Sequence, residues 1–202
     1  MKISNYIKKN FHFFIIIPVL LSGLLYWGAK IKVAPKKHEK IQMFISCVDL
    51  NNKALEKAIK DTNKVDVKEI NVSFAIYGSS SMNMVYSTVY SEMDVLVLPK
   101  TFLDENIEHY YPYYTKLDES VISSYVGDVD YYTYGENKYA LKIYDSATKS
   151  GWCDSIIKYE KDGFNEDYYM FFVFKSVNLG ELSKSKSNHA LEFMKAMKEY
   201  EK

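Results

Sequence analysis

The chain has 202 residues, with 26 acidic residues balanced by 26 basic ones that are all lysine, and a formal net charge of +0. That length holds one domain with a proper core and is short for two large lobes plus an anchor. With neither a basic excess nor any arginine to contact phosphates or bases in bidentate fashion, nucleic acid is excluded as a partner class.

Residues 1–10 carry Lys2, Lys8 and Lys9 and read as a cytoplasmic N-terminus. From Phe11 to Ala29 the sequence FHFFIIIPVLLSGLLYWGA has no formal charge. Its length matches the roughly 20 apolar residues that cross a bilayer core as a helix. Tyr26 and Trp27 stand near its far end, where amphipathic aromatics favour the interface. Cleavage after Ala29 would put Trp27 where signal peptidase wants a small residue, and no cysteine follows for lipoprotein processing, so 11–29 is expected as an uncleaved transmembrane signal anchor. Lys30, Lys32, Lys36, Lys37 and Lys40 outnumber the lysines before the span, which by the positive-inside rule favours the C-terminal part inside. The short, secretory-like start favours it outside, and a single-pass cell-membrane protein with its domain outside the cytoplasm is the expectation.

Residues 30–39, with Pro35 among lysines, read as a stalk, and 40–202 as one domain. Lys40 to Leu50 is a strongly apolar strand. Asn51 and Asn52 can cap a helix that turns Leu55, Ala58 and Ile59 to one face and Lys53, Glu56, Lys57 and Lys60 to water. Val67 to Tyr77 is a second strand, Ser79 to Ser81 start a second helix running to Ser91, and Val95 to Leu98 is a third strand. Its unbroken apolar run marks a strand covered on both faces. Strand, helix, strand, helix, strand at this spacing implies crossovers and a parallel sheet. Beyond a helix or loop through ENIEHYYPYY, strands are expected at Tyr139 to Tyr144 after a turn at Gly135, within GWCDSIIKYEKDG, and in DYYMFFVFKSVNLGEL. Asn188 to Tyr200 closes the chain as an amphipathic helix with Leu191, Met194, Ala196 and Met197 inward.

The 19 tyrosines fit either a compositional bias or an aromatic surface for stacking a sugar or peptide. Cys47 and Cys153 can pair, or can stay buried as small apolar thiols. His12, His38, His109 and His189 stand apart with no ligand spacing around them, so neither a metal site nor a cofactor is expected.

The phrases KIQMFISC, MDVLVLP, KLDES, NKYALKIYD, YYMFFVFKSVNLGEL and NHALEFMKAMKEY, in that order, resemble extracellular solute-binding proteins of transporter systems, the type 2 periplasmic-binding-protein-like group. The resemblance covers 40–201. It implies a three-layer αβα domain with a mainly parallel sheet, like one lobe of a two-lobed clamp, because about twenty residues separate Tyr144 from Tyr168 where the relatives carry a second lobe. It also implies a non-catalytic component beside a transporter or sensor that takes a small solute such as a sugar or peptide. The alternative is a degenerate lobe that docks another polypeptide.

In a parallel sheet, ligands meet the loops after the strands. The candidate ligand-binding residues are therefore Ser46, Asp49, Ser79, Ser80, Ser81, Lys100 and Thr101, with Tyr144 and Trp152 as an aromatic wall. The serine run offers either a simple helix cap or an anion cradle. Asp49, like Asn51 and Asn52, can be a cap, and Trp152 either packs or stacks. No G-x-S-x-G, Walker or G-x-G-x-x-G motif occurs, and Asp118-Glu119 read as a solvated helix start, so no catalytic residue is expected.

Overall fold

The computed structural model describes residues 11–62, 64–76, 92–161 and 163–200, without the side chains of 12–14 and 31–33. The chain divides into two compact units, Met1–Lys36 and Lys37–Lys202. The first holds helix α1, Phe11–Val33, which contains Pro18. The helix expected at 11–29 thus forms and runs one turn further, through Lys30 and Lys32. Among the described residues no helix is long and apolar enough to cross a membrane. Apart from Phe11, the described side chains of α1 run from Ile15 to Lys30, short of a full span.

The second unit is an α/β domain. Its strands are β1 (Lys40–Ser46), β2 (Asp49–Leu50), β3 (Glu69–Ala75), β4 (Val95–Pro99), β5 (Tyr131–Tyr134), β6 (Asn137–Asp145), β7 (Ser150–Gly151), β8 (Ile157–Lys158) and β9 (Tyr168–Phe172). Its helices are α2 (Asn52–Asp61), α3 (Lys100–Tyr110), α4 (Glu119–Val126) and α5 (His189–Glu199). The main sheet runs β3-β1-β4-β9-β6-β5, with β7 added to β6, while β2 and β8 pair separately.

The sheet is mixed rather than mainly parallel, which corrects the sequence expectation. β1 pairs in parallel with β3, from Lys40 opposite Glu69 to Ser46 opposite Ala75, and with β4. β9 then runs antiparallel to β4, from Val95 opposite Phe172 to Pro99 opposite Tyr168. β6 is antiparallel to β9, β5 and β7. The direction changes because parallel neighbours need a crossover, such as that through α2, whereas a hairpin makes the antiparallel pair β5–β6. The hairpin turns at Gly135, whose φ of 59° lies in the left-handed region.

Two further boundaries differ from expectation. The strand expected over Lys40 to Leu50 breaks after Ser46, and the strand expected within GWCDSIIKYEKDG shrinks to Ile157–Lys158 among turns. The helix expected from Ser79 to Ser91 lies outside the described residues.

Helices cover both faces of the sheet, as the unbroken burial of β4 and β9 requires. On one face Ile41, Met43, Ile45, Val95, Val97, Leu141 and Met170 meet Leu55 and Ile59 of α2, Ile122 of α4, and Leu191, Phe193, Met194 and Met197 of α5. On the other, Phe44, Leu96, Leu98, Ala140 and Phe171 meet Phe102, Leu103 and Ile107 of α3. Asn51 caps α2 by accepting from Ala54 N at 3.0 Å, and Asp118 caps α4 by accepting from Ser120 N at 2.9 Å. Both cores lie wholly within 37–202.

Candidate functional site

The strand tips lie where β1, β3 and β4 end and β9 begins. The chain closes this end itself. The segment between β6 and β9 folds back over it, so that Val48 N donates to Lys158 O at 2.9 Å and β8 pairs with β2. Beneath this cap Tyr159, 2 % exposed, stacks on Tyr144 with ring centroids 4.7 Å apart, and lies 5.2 Å from the ring of Tyr168. The Tyr159 hydroxyl donates to Trp152 O at 2.8 Å. Burial holds the Tyr159 phenol well above its ordinary pKa. Gly151 permits the closure, because a Cβ there would come within 2.7 Å of the Tyr144 ring.

The candidate residues distribute unevenly around this cap. Ser46 is fully buried, and its Oγ has no hydrogen-bond partner among the described residues. Asp49 is exposed on β2, its carboxylate accepting from Leu50 N at 2.8 Å. Tyr144 is buried. Trp152 is half-buried, with the Lys198 ammonium 5.7 Å from its ring centroid. Tyr144 and Trp152 do come together, lining with Asp145, Ser150 and Gly151 an open hollow of about 250 Å³. Ser79, Ser80 and Ser81 lie outside the described residues.

Lys100 and Thr101 begin α3, whose free N–H groups make a natural anion site. The occupant is the protein's own chain. Thr101 N donates to a Glu166 carboxylate oxygen at 2.7 Å and Lys100 N to Asp167 O at 2.9 Å. The Lys100 ammonium pairs with Asp104 one turn along, at 2.5 Å.

Sequence reasoning missed the charge cluster beside these groups. Lys142, 19 % exposed at its side chain, lies 3.0 Å from Asp167, 3.6 Å from Asp130 and 3.8 Å from Asp145. Burial would lower the Lys142 pKa, but its hydrogen bond to Asp167 and the surrounding charges raise it. Asp167 is pushed upward by burial, yet accepts from Ser146 N at 2.9 Å and Ser146 Oγ at 2.8 Å as well as from Lys142, so its carboxyl falls below the ordinary range. The strand period gave a hint here, since Lys142 interrupts the buried run from Tyr139 to Tyr144.

The opposite end of the sheet holds a second polar group the sequence did not announce. Asp94, 6 % exposed, accepts from Gln42 N at 2.9 Å, Ser176 Oγ at 2.5 Å and Asn178 Nδ2 at 3.0 Å. Asn178 Nδ2 also reaches Lys40 O at 2.9 Å. Burial raises the Asp94 pKa, against the lowering by these donors and by the Lys40 charge. A carboxylate just before four apolar strand residues was its one sequence signal.

Cys47 and Cys153 are both buried thiols and are not joined in a disulfide. Cys47 donates to Asp49 O and Cys153 to Met197 O. Burial, reinforced by Asp49, pushes the Cys47 thiol up to about 12. Among the described residues no group of three or more histidine, cysteine or acidic side chains could hold a metal ion.

No family model, no curated protein and no solved structure matches this chain.

Proposed function

We propose that this is a membrane-tethered, non-catalytic domain that resembles one lobe of a solute-binding protein and works as a protein-interaction module beside a membrane transporter or sensor. The observation that carries this reading is the self-closure of the strand tips. Tyr144, Tyr159 and Tyr168 fill the space a solute would take, and Glu166 fills the helix terminus that would hold an anion. Tight enclosure of a small molecule requires most of its surface to be buried, and an open hollow of about 250 Å³ suits a side chain of a docking polypeptide better.

The uncharged stretch from Phe11 to Ala29, with Tyr26 and Trp27 at its far end, supports a single-pass anchor. The secretory-like start supports an external domain. The burial of Cys47, which holds its thiol far from a reactive thiolate, supports the non-catalytic reading.

The test is a thermal-shift screen of residues 37–202 against sugars, amino acids and short peptides. A flat response is expected. A saturable rise in Tm with any sugar or amino acid would overturn the docking reading and restore a solute site.

A further inference from the structure

The end of the sheet opposite the tips presents an apolar and cationic surface. Phe174 is 62 % exposed, Tyr113 47 % and Val177 39 %. Phe174 N donates to Tyr113 O at 2.9 Å, which holds the two residues side by side. Phe174 and Lys116 edge a groove of about 340 Å³ floored by tyrosines, and Val177, Lys175 and Lys37 edge a neighbouring hollow of about 140 Å³. The side chains of Lys37, Lys116 and Lys175 are exposed and form no ion pair among the described residues. Asp94 does not offset them at the surface, because its oxygens are taken by three internal donors. Glu92, an exposed acid, lines the smaller hollow.

This end is also where the chain joins the domain. α1 ends at Val33 and the domain unit begins at Lys37, and the connecting residues reach at most about 14 Å when fully extended. The tips lie further along by the length of β1, about 23 Å for seven residues. If α1 is anchored in lipid, its tether holds Lys37 within about 14 Å of the end of that helix, a little under two Debye lengths of ~8 Å at physiological salt. Exposed aromatics beside unpaired lysines are the combination that settles at an anionic bilayer surface.

We infer that Phe174, Val177, Tyr113 and the lysines Lys37, Lys116 and Lys175 form a membrane-surface face, whose partner is an anionic bilayer leaflet. The inference rests on the tether reading above and adds to it a lipid-facing surface at the end of the sheet opposite the capped tips.

The test uses residues 37–202, which contain both cores, sedimented with vesicles of equal parts phosphatidylglycerol and phosphatidylcholine or of phosphatidylcholine alone. Binding to the anionic vesicles, weakened by salt, is expected. Lys37→Glu and Lys175→Glu should each lower it about fivefold or more, and Phe174→Ser about tenfold. Glu92→Lys should strengthen it, a gain that loss of structure cannot produce. All four positions are exposed, so circular dichroism and Tm should stay at wild-type values. Equal binding to both vesicle types, no binding to either, or indifference to the charge reversals would overturn the inference, as would a patch that captures only a protein. Alkaline carbonate extraction of the full chain separates the two readings: release from membranes removes the tether, while vesicle binding by 37–202 decides the face.

Discussion

The two ends of the sheet solve opposite problems. At the tips, a cap of the chain's own residues buries aromatic rings and fills the helix terminus with an internal carboxylate. At the other end, a buried carboxylate ties strand starts and the return loop together, while apolar side chains and lysines stay in water. Ligand-binding α/β domains usually keep the tips open. This domain folds its own chain over that end, where Phe74 and Ile76 at the end of β3 stay partly exposed, and carries Tyr113, Phe174 and Val177 beside exposed lysines at the other.

The largest test of this contrast is removal of the ring at the centre of the cap. Tyr159→Ala deletes a buried aromatic stacked on Tyr144 and should cost about 3–5 kcal/mol. For a domain of this size that is a fall in Tm of roughly 10–15 °C. If differential scanning calorimetry gives a change below roughly 2 °C, the cap is a loose flap, the tips are accessible, and the contrast between the ends collapses.

Next comes the opposite end. Asp94→Ala strands Gln42 N and takes one acceptor each from Ser176 Oγ and Asn178 Nδ2, the latter keeping Lys40 O, for a loss of about 2–3 kcal/mol in denaturant unfolding. The two ends should also answer pH in opposite senses. Asp94 has a raised folded pKa, so its linked stabilisation is complete below its unfolded value of about 3.8 and declines as pH rises through the folded value. Asp167 has a lowered one, so its stabilisation is present above about 3.8 and is lost as pH falls through the folded value. Tm measured across the acid range should therefore show Asp167→Asn converging on wild type at the lowest pH. The Asp94→Asn curve should fall furthest below wild type there and approach it as pH rises. Parallel curves for the two variants would contradict the assignment.

Much of the fold was legible because it is local. The uninterrupted Val95 to Leu98 run announced a strand covered on both faces, the Leu55, Ala58 and Ile59 spacing announced α2, and Asn51 announced its cap. The closing helix buries the residues its period selects. What was not legible is non-local. The apolar run of β9 says that the strand is buried, but nothing within it says that it pairs antiparallel to β4, which converts the expected parallel sheet into a mixed one. The candidate site failed for the same reason. Ser46 and Tyr144 do stand at strand ends, yet whether a strand end is open depends on what the following segment does. Tyr159 sits in a turn-rich stretch whose composition gives no sign that it plugs the tips. Asp94 and Lys142 broke apolar runs, and those interruptions marked polar positions better than the loops after the strands did.

The smallest effects test how far Glu166 replaces a ligand. Glu166→Ala leaves Thr101 N without its carboxylate and should cost about 1 kcal/mol, the usual value of a lost helix N-cap. Lys100→Ala removes an exposed pair spaced one turn apart on α3 and should cost no more than about 0.5 kcal/mol. The comparison between them carries the information. If Glu166→Ala also creates a salt-sensitive rise in Tm with added sulfate or acetate, the α3 terminus is an anion site kept filled from within. An unchanged Tm across that titration reduces Glu166 to an ordinary cap, and leaves the closure of the tips to Tyr144, Tyr159 and Tyr168 alone.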